Sequence, residues 1–126
     1  MLTVFMGAKT HRREFPAELA HAGEVRVFIA WTGAVAGLRG GALSDLATAA
    51  EALLTDVILS SERAGVDGRL EVESEIEAGS VKITIRHPEL RERRMAGLQG
   101  MLDQFLDEHE LSPKKAILAK RNKTTK

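Results

Sequence analysis

Apolar residues recur along this chain at two different spacings, which divide it into predicted helices and strands. Apolar positions three or four residues apart predict a first helix from about Ala20 to Ala36 and a second from about Asp45 to Arg63. Gly37 and the pair Gly40-Gly41 predict the helix stop between them, and Ser44 is the predicted N-cap of the second helix. The expected core positions are Val25, Phe28, Ile29, Thr32, Val35 and Ala36 in the first helix and Leu46, Ala49, Ala50, Leu53, Leu54, Val57 and Ile58 in the second.

Strict alternation predicts a β-hairpin after the second helix. From Leu70 to Glu77 every second residue is a glutamate, and from Val81 to Arg86 aliphatic residues alternate with polar ones. Ala78-Gly79 lies between the two runs, as is typical of a hairpin turn. The alternation predicts one face packed on helices and one polar face, where the acids of the first strand are expected to pair with Lys82 and Arg86.

The remaining segments complete the predicted order of elements. Residues 10–14 precede Phe15-Pro16 and predict an edge strand, because proline favours extended geometry in the residue before it and is tolerated at sheet edges. Apolar spacing predicts a third helix between Met95 and Leu106, and Ala116 to Ala119 a last short strand. This order indicates an α+β fold: a two-layer sandwich with a mixed, mostly antiparallel sheet and helices packed on one face.

The composition favours a single modest hydrophobic core and gives no reason to expect nucleic acid or membrane as a partner. The 126 residues suit a single domain, with its core at about residues 10–120 and a basic tail at 114–126. A formal net charge of +0 and an aromatic content of 4% give no reason to expect direct nucleic-acid binding. The chain has no cysteine and no apolar run near the roughly 20 residues of a membrane helix. We therefore expect a cytoplasmic protein without membrane contact.

Five stretches of the chain, taken in this order, match the sequence pattern of a known protein family: Phe15-Pro16, Glu24–Ile29, Ala52–Ser60, Ile85–Glu89 and Ala96–Met101. In order and pattern they resemble the bacterial anti-sigma factor serine kinases, which share the ATPase fold of histidine kinases and gyrase. The resemblance covers about Arg12 to Lys120. It implies a histidine kinase-like ATPase fold, ATP and magnesium as cofactors, a homodimer, and partner switching with a sigma factor or an anti-anti-sigma antagonist.

The resemblance also assigns site residues on the second helix, and the chain departs from the family there. Asp56 holds the position of the family's magnesium-binding asparagine, and a carboxylate is a good ligand for a hard cation. Ala52 holds the position of the general base. One residue rotates a helix side chain by about 100°, so Glu51 would serve as the catalytic base only in a shifted register that puts Thr55 in the magnesium position. The alternative for Glu51 is a solvated surface residue.

Two further departures follow the hairpin. His87 replaces the aspartate that accepts the adenine amino group, and Glu89 replaces a glycine that lets the backbone approach the base. Gly97 and Gly100 still match the family's phosphate-loop region, and the resemblance assigns both to cofactor binding. With Ala52, these departures predict that ATP and magnesium bind weakly or not at all. For His87 the alternative is a surface residue at a strand end.

Three functions stay open at this point. The first is a regulatory protein-binding module similar to an anti-sigma factor, in which the nucleotide site is degenerate. The second is an active ATP-dependent serine/threonine protein kinase that uses Glu51 and Asp56, and the third is a non-catalytic structural or adaptor subunit. Trp31 lies one residue off the core stripe of its helix, so we expect it to be partly exposed at the flank of that stripe. We therefore expect a homodimer or a helical partner to bind around Arg26 and Trp31. The alternative is that Trp31 caps the edge of the core.

Overall fold

Within the residues described below, five strands form an antiparallel sheet, which is one layer of the structure. The computed structural model describes residues 9–65, 68–88, 98–112 and 114–122. The strands are β1 (Lys9–Pro16), β2 (Arg69–Glu77), β3 (Ser80–Arg86), β4 (Glu108–Ser112) and β5 (Lys115–Arg121). Their order across the sheet is β1-β2-β3-β5-β4, so β1 is an edge strand as predicted. Every pairing is antiparallel, whereas the sequence led us to expect a mixed sheet.

Helices form the second layer, which gives the predicted α+β class. After a short 3-10 turn at Leu19–His21 come α1 (Ala22–Val35), α2 (Gly41–Ala64) and α3 (Gln99–Phe105). The part of the predicted third helix that precedes residue 98 lies outside the described residues. Among the helices that are described, none is both long and apolar enough to cross a membrane. Among the described elements, the strand β4 and the 3-10 turn were not predicted from the sequence.

The start of α2 differs from the prediction. The helix begins before Ser44, which lies inside it, so the predicted N-cap is wrong. Gly37 and Gly40 have φ angles of 89° and 51°, which favour glycine and turn the chain sharply after α1. The Asn122 side chain holds this turn: it accepts a hydrogen bond from the Arg39 amide at 3.0 Å and donates one to the Gly37 carbonyl at 2.8 Å. A contact from the far end of the chain therefore fixes where α2 begins.

The core lies between the sheet and the inner faces of α1 and α2. Leu53 and Val57 are fully buried in it, as their helical spacing predicted. On the hairpin, the predicted inward positions are also buried: Leu70, Val72, Ile76, Val81, Ile83 and Ile85. Val35 was expected in this core and is instead 51% exposed, so that prediction is wrong. Val35 lies on a side of α1 that neither the sheet nor α2 covers.

The opposite face of the hairpin carries the predicted ion pairs. Lys82 Nζ lies 3.3 Å from Glu75 Oε2, and Arg86 Nη1 lies 3.4 Å from Glu71 Oε1. Arg12 of β1 also pairs with Glu71 and extends the row of charges to the sheet edge. Such partly exposed pairs contribute little stability each, about 0–1 kcal/mol, but they keep this face of the sheet polar.

Candidate functional site

Glu51, the predicted catalytic base, lies on the exposed side of α2. Its carboxylate accepts a hydrogen bond from Arg26 Nη1 of α1 at 3.2 Å. Together with Thr55 it borders a shallow cleft of about 90 Å³ between the two helices. Ala52, in the position of the family's base, has no group that takes a proton. Glu51 is thus a surface residue that joins α2 to α1.

Asp56 and Ser60, one turn apart on α2, each hold a buried oxygen that lacks a partner. Asp56 Oδ2 and Ser60 Oγ make no hydrogen bond with any residue that the structure describes. An unsatisfied buried polar group costs about 1–3 kcal/mol, so two unpartnered oxygens one helical turn apart are unusual in a folded protein. A lone carboxylate oxygen suits a hard cation. However, within the described ranges no group of three or more His, Asp or Glu side chains could hold a metal ion.

His87 is buried directly after β3, with 2% of its surface exposed. Its backbone N–H donates to the Lys114 carbonyl at 3.1 Å, and its ring Nε2 lies 3.1 Å from where a Cβ on Gly68 would stand. The alternative of a surface residue is therefore wrong. The sequence did contain the signal, because His87 continues the inward alternation of Ile83 and Ile85.

Of the two glycines assigned to the phosphate-loop region, the structure describes Gly100. Gly100 is exposed in the first turn of α3, and a Cβ there would have nothing within 4 Å, so no close contact requires a glycine. Gly97 and Glu89, which were also assigned to the nucleotide site, lie outside the described residues.

The residues at the nucleotide positions fit ATP and magnesium poorly. Asp56 could ligate a cation through its unpartnered oxygen. Ala52 supplies no base, and the His87 ring packs on the Gly68 backbone where the family has a carboxylate acceptor. The described positions therefore supply one of the groups that nucleotide chemistry needs and lack the family's base and the carboxylate that accepts the adenine amino group.

A second candidate site lies on α1, which carries exposed apolar residues on one flank. Val27, Trp31 and Val35 follow each other at intervals of four residues and are 64%, 48% and 51% exposed. This spacing puts them in one row along the helix, here called the outer stripe. The partial exposure expected for Trp31 is thereby confirmed. A contiguous apolar row on the surface is typical of a binding site.

Val27 and Trp31 of the outer stripe line a groove of about 830 Å³ between α1 and β1. In this groove, the Trp31 indole stands edge-on to the His11 ring, with centroids 5.1 Å apart, and stacks on Phe28 at 6.3 Å. The groove is lined by His11, Arg12, Arg13, Gly23, Glu24, Arg26, Val27, Phe28 and Trp31. The helix side of its wall is aromatic and aliphatic and also carries Glu24 and Arg26, and the strand side is basic.

Arginines give the groove a positive rim. Arg12 and Arg26 are each paired with a glutamate of the chain. The guanidinium of Arg13 instead lies 4.8 Å from the ring centroid of Phe15 and 5.6 Å from that of Phe28, a cation–π arrangement. No carboxylate within the described residues pairs with it. Arg13 is therefore a positioned cation that remains available to a ligand.

Comparisons with known proteins assign no family: no protein-family model matches the chain, and no curated protein matches it. The function must therefore be argued from the surfaces and residues themselves.

Proposed function

We propose that this chain is a regulatory protein-binding module similar to an anti-sigma factor, which acts on transcription by partner switching with a sigma factor or an anti-anti-sigma antagonist. The proposal rests on the outer stripe of α1 beside an open groove of about 830 Å³. The order of elements in the α+β sandwich supports a histidine kinase-like ATPase fold as its scaffold. Such a role would be carried out in the cytoplasm.

The energetics favour a protein partner for this surface. Fully burying a Val or Leu side chain contributes about 1.5–3 kcal/mol, and Val27 and Trp31 are about half available for such burial. Trp and Arg are also the residues that most often anchor protein interfaces. Arg13 and Arg26 stand beside Trp31 in the groove wall. The surface therefore has an apolar centre and a charged rim, the usual anatomy of an interface.

The nucleotide positions support binding rather than phosphotransfer as the main activity. Ala52 cannot act as a base, and Glu51 is ion-paired on the surface. One observation favours a second function, an active ATP-dependent serine/threonine kinase: the buried, unpartnered oxygen of Asp56, which could bind magnesium. We rank this function below the binding module because the family's base and the carboxylate that accepts the adenine amino group are missing from the described positions.

A second copy of the chain is another proposed occupant of the outer stripe. A twofold dimer uses the same patch on both protomers, so Trp31 would be buried on each side. The same symmetry would also bring together two grooves in which Arg13 has no carboxylate partner among the described residues. Because like charges repel, we expect the homodimer to be weaker than a complex with a partner of opposite charge.

The experiment compares two substitutions, each of which replaces an exposed aliphatic side chain with serine. Val27→Ser alters the outer stripe, and Leu59→Ser alters an exposed leucine on α2 that lies outside it, so both proteins should fold normally. We expect Val27→Ser alone to weaken a complex with a sigma factor or antagonist, identified by mass spectrometry after a pull-down from native extract. Binding should also shift the emission of Trp31, the one tryptophan in the chain. An unchanged emission maximum with a monomer at high concentration would refute the proposal.

A further inference from the structure

The outer edge of β1 is open. This strand of eight residues pairs with β2 on one side, and no other strand in the described part of the chain lies along its other side. An open edge presents N–H and C=O groups that can pair with another extended chain. Lys9, Arg12 and Arg13 outnumber Glu14 on this strand, so β1 carries an excess of positive charge.

The side chains of β1 alternate between the two faces of the sheet. His11, Arg13 and Phe15 face the helix layer, where His11 contacts Trp31 and Arg13 lies over Phe28. Arg12 faces the polar side and pairs with Glu71. A strand added to this edge would therefore place every second side chain in the groove beside the outer stripe.

We propose that β1 binds an extended, acidic segment of the partner protein as a sixth strand, with alternate apolar side chains inserted beside Val27 and Trp31. This inference rests on the proposed protein-binding function and specifies the chemistry of its partner. Main-chain hydrogen bonds to the β1 edge give the segment its direction, and the groove selects its apolar residues. One carboxylate on the helix side pairs with Arg13, and the carboxylates on the opposite face of the strand lie near Arg12.

Charge complementarity selects the acidic segment over other occupants. Arg13 lines the groove without a carboxylate partner among the described residues, whereas Arg12 and Arg26 are already paired with Glu71 and Glu51. A second copy of β1 would present His11, Arg13 and Phe15 on the helix side and so would supply no carboxylate to Arg13. An acidic strand supplies one, which Arg13 can bind without breaking an ion pair within the described structure.

The direct test uses a synthetic peptide with capped ends, matched to the eight residues of β1. Its groove-facing positions carry Val or Leu beside Trp31 and one Glu opposite Arg13, and Glu fills the alternate positions. We expect it to shift the emission of Trp31 and to bind more weakly as ionic strength rises. A peptide with Lys in place of Glu should bind about tenfold more weakly or worse, which corresponds to about 1.4 kcal/mol. A peptide with N-methylated amides on its pairing edge should lose binding too, because it cannot complete the strand. These changes leave the protein untouched.

Matched protein variants locate the contact. Arg13→Gln should weaken peptide binding about tenfold, whereas Arg39→Gln, which changes an exposed arginine on the connection between α1 and α2, should leave it unchanged. Thermal melts of both variants show whether the fold is intact. Equal binding of the Glu and Lys peptides, or full binding of the N-methylated one, overturns the inference.

The outcomes separate this inference from the proposed function. If the acidic peptide does not bind while Val27→Ser still weakens the complex with the regulatory partner, the strand-addition inference is wrong and the binding function stands. If light scattering shows a dimer that the peptide does not dissociate, a second copy occupies the edge and the inference is wrong. If the peptide binds as expected and no sigma factor or antagonist is captured, the edge inference holds and the regulatory assignment fails.

Discussion

The hydroxyl of Ser74 on β2 donates a hydrogen bond of 3.1 Å to the hydroxyl oxygen of Thr32 on α1, inside the layer between sheet and helix. Thr32 Oγ1 in turn donates to the Ile29 carbonyl at 2.8 Å. Both side chains are fully buried. These two hydrogen bonds satisfy polar groups that would otherwise be buried without partners, and they connect α1 to β2.

Thr32→Val should therefore destabilise the protein beyond the loss of one hydrogen bond. The shape is nearly kept, but Ser74 loses its acceptor, and an unsatisfied buried hydroxyl costs about 1–3 kcal/mol. When Ser74→Ala is added, the two changes together should cost at least about 0.5 kcal/mol less than the sum of the single changes. Urea denaturation of the four proteins gives the coupling. Strict additivity would show that this hydrogen bond is energetically unimportant.

Gly33→Ala should destabilise the fold because α1 and α2 approach each other at this residue. A Cβ on Gly33 would stand 2.9 Å from Leu43 Cδ1 and 3.2 Å from Leu46 Cδ2. Overpacking of a core costs about 1–3 kcal/mol. Gly23→Ala is the matched control in the same helix, since a Cβ there meets nothing within 4 Å and the change should be neutral or stabilising by up to about 1 kcal/mol. Thermal melts that move equally for both variants would contradict the expectation.

Much of the fold could be predicted because burial repeats at the period of each element. The hairpin of β2 and β3 and the buried face of α2 followed directly from alternation and helical spacing. Val35 shows the limit: spacing identifies an apolar row but not how much of a helix its neighbours cover. β4 is short and mostly polar, so its strand geometry depends on pairing with β5, which no local pattern encodes. The start of α2 likewise depends on a contact with Asn122, which is distant in sequence.

The candidate site was less predictable, for a similar reason. Trp31 was identified as partly exposed from its position on the helix. The groove itself forms because β1 lies alongside α1, and Arg13 gains its position over Phe15 and Phe28 through that tertiary contact. The unpartnered oxygens of Asp56 and Ser60 are also visible in three dimensions alone, because burial of individual atoms leaves no trace in residue spacing.

Leu53→Ala should cost about 2–5 kcal/mol, because Leu53 is fully buried and its truncation leaves a cavity between α2 and the sheet. Glu51→Ala, two residues away on the same helix, removes an exposed carboxylate and its ion pair with Arg26, and should change stability by no more than about 0.5 kcal/mol. Chemical denaturation measures both. If Glu51→Ala abolished a measured phosphotransfer while its melt stayed unchanged, Glu51 would be the catalytic base and the kinase hypothesis would be favoured.

The last prediction is that ATP with magnesium binds weakly or not at all. Replacement of the adenine-accepting carboxylate by His87 removes an interaction worth about 1–3 kcal/mol where polar groups are left unpaired, or roughly one to two decades of affinity, and the missing base at Ala52 removes phosphotransfer. Isothermal titration with ATP and magnesium checks this, and a micromolar Kd would show it to be wrong. Any residual magnesium-dependent binding should disappear in Asp56→Ala, because its Oδ2 is the unpartnered oxygen available to a cation. Thr55→Ala, one residue away on the exposed side of α2, should keep that binding. The reverse result would place Thr55 at the metal and support the shifted register with Glu51 as base.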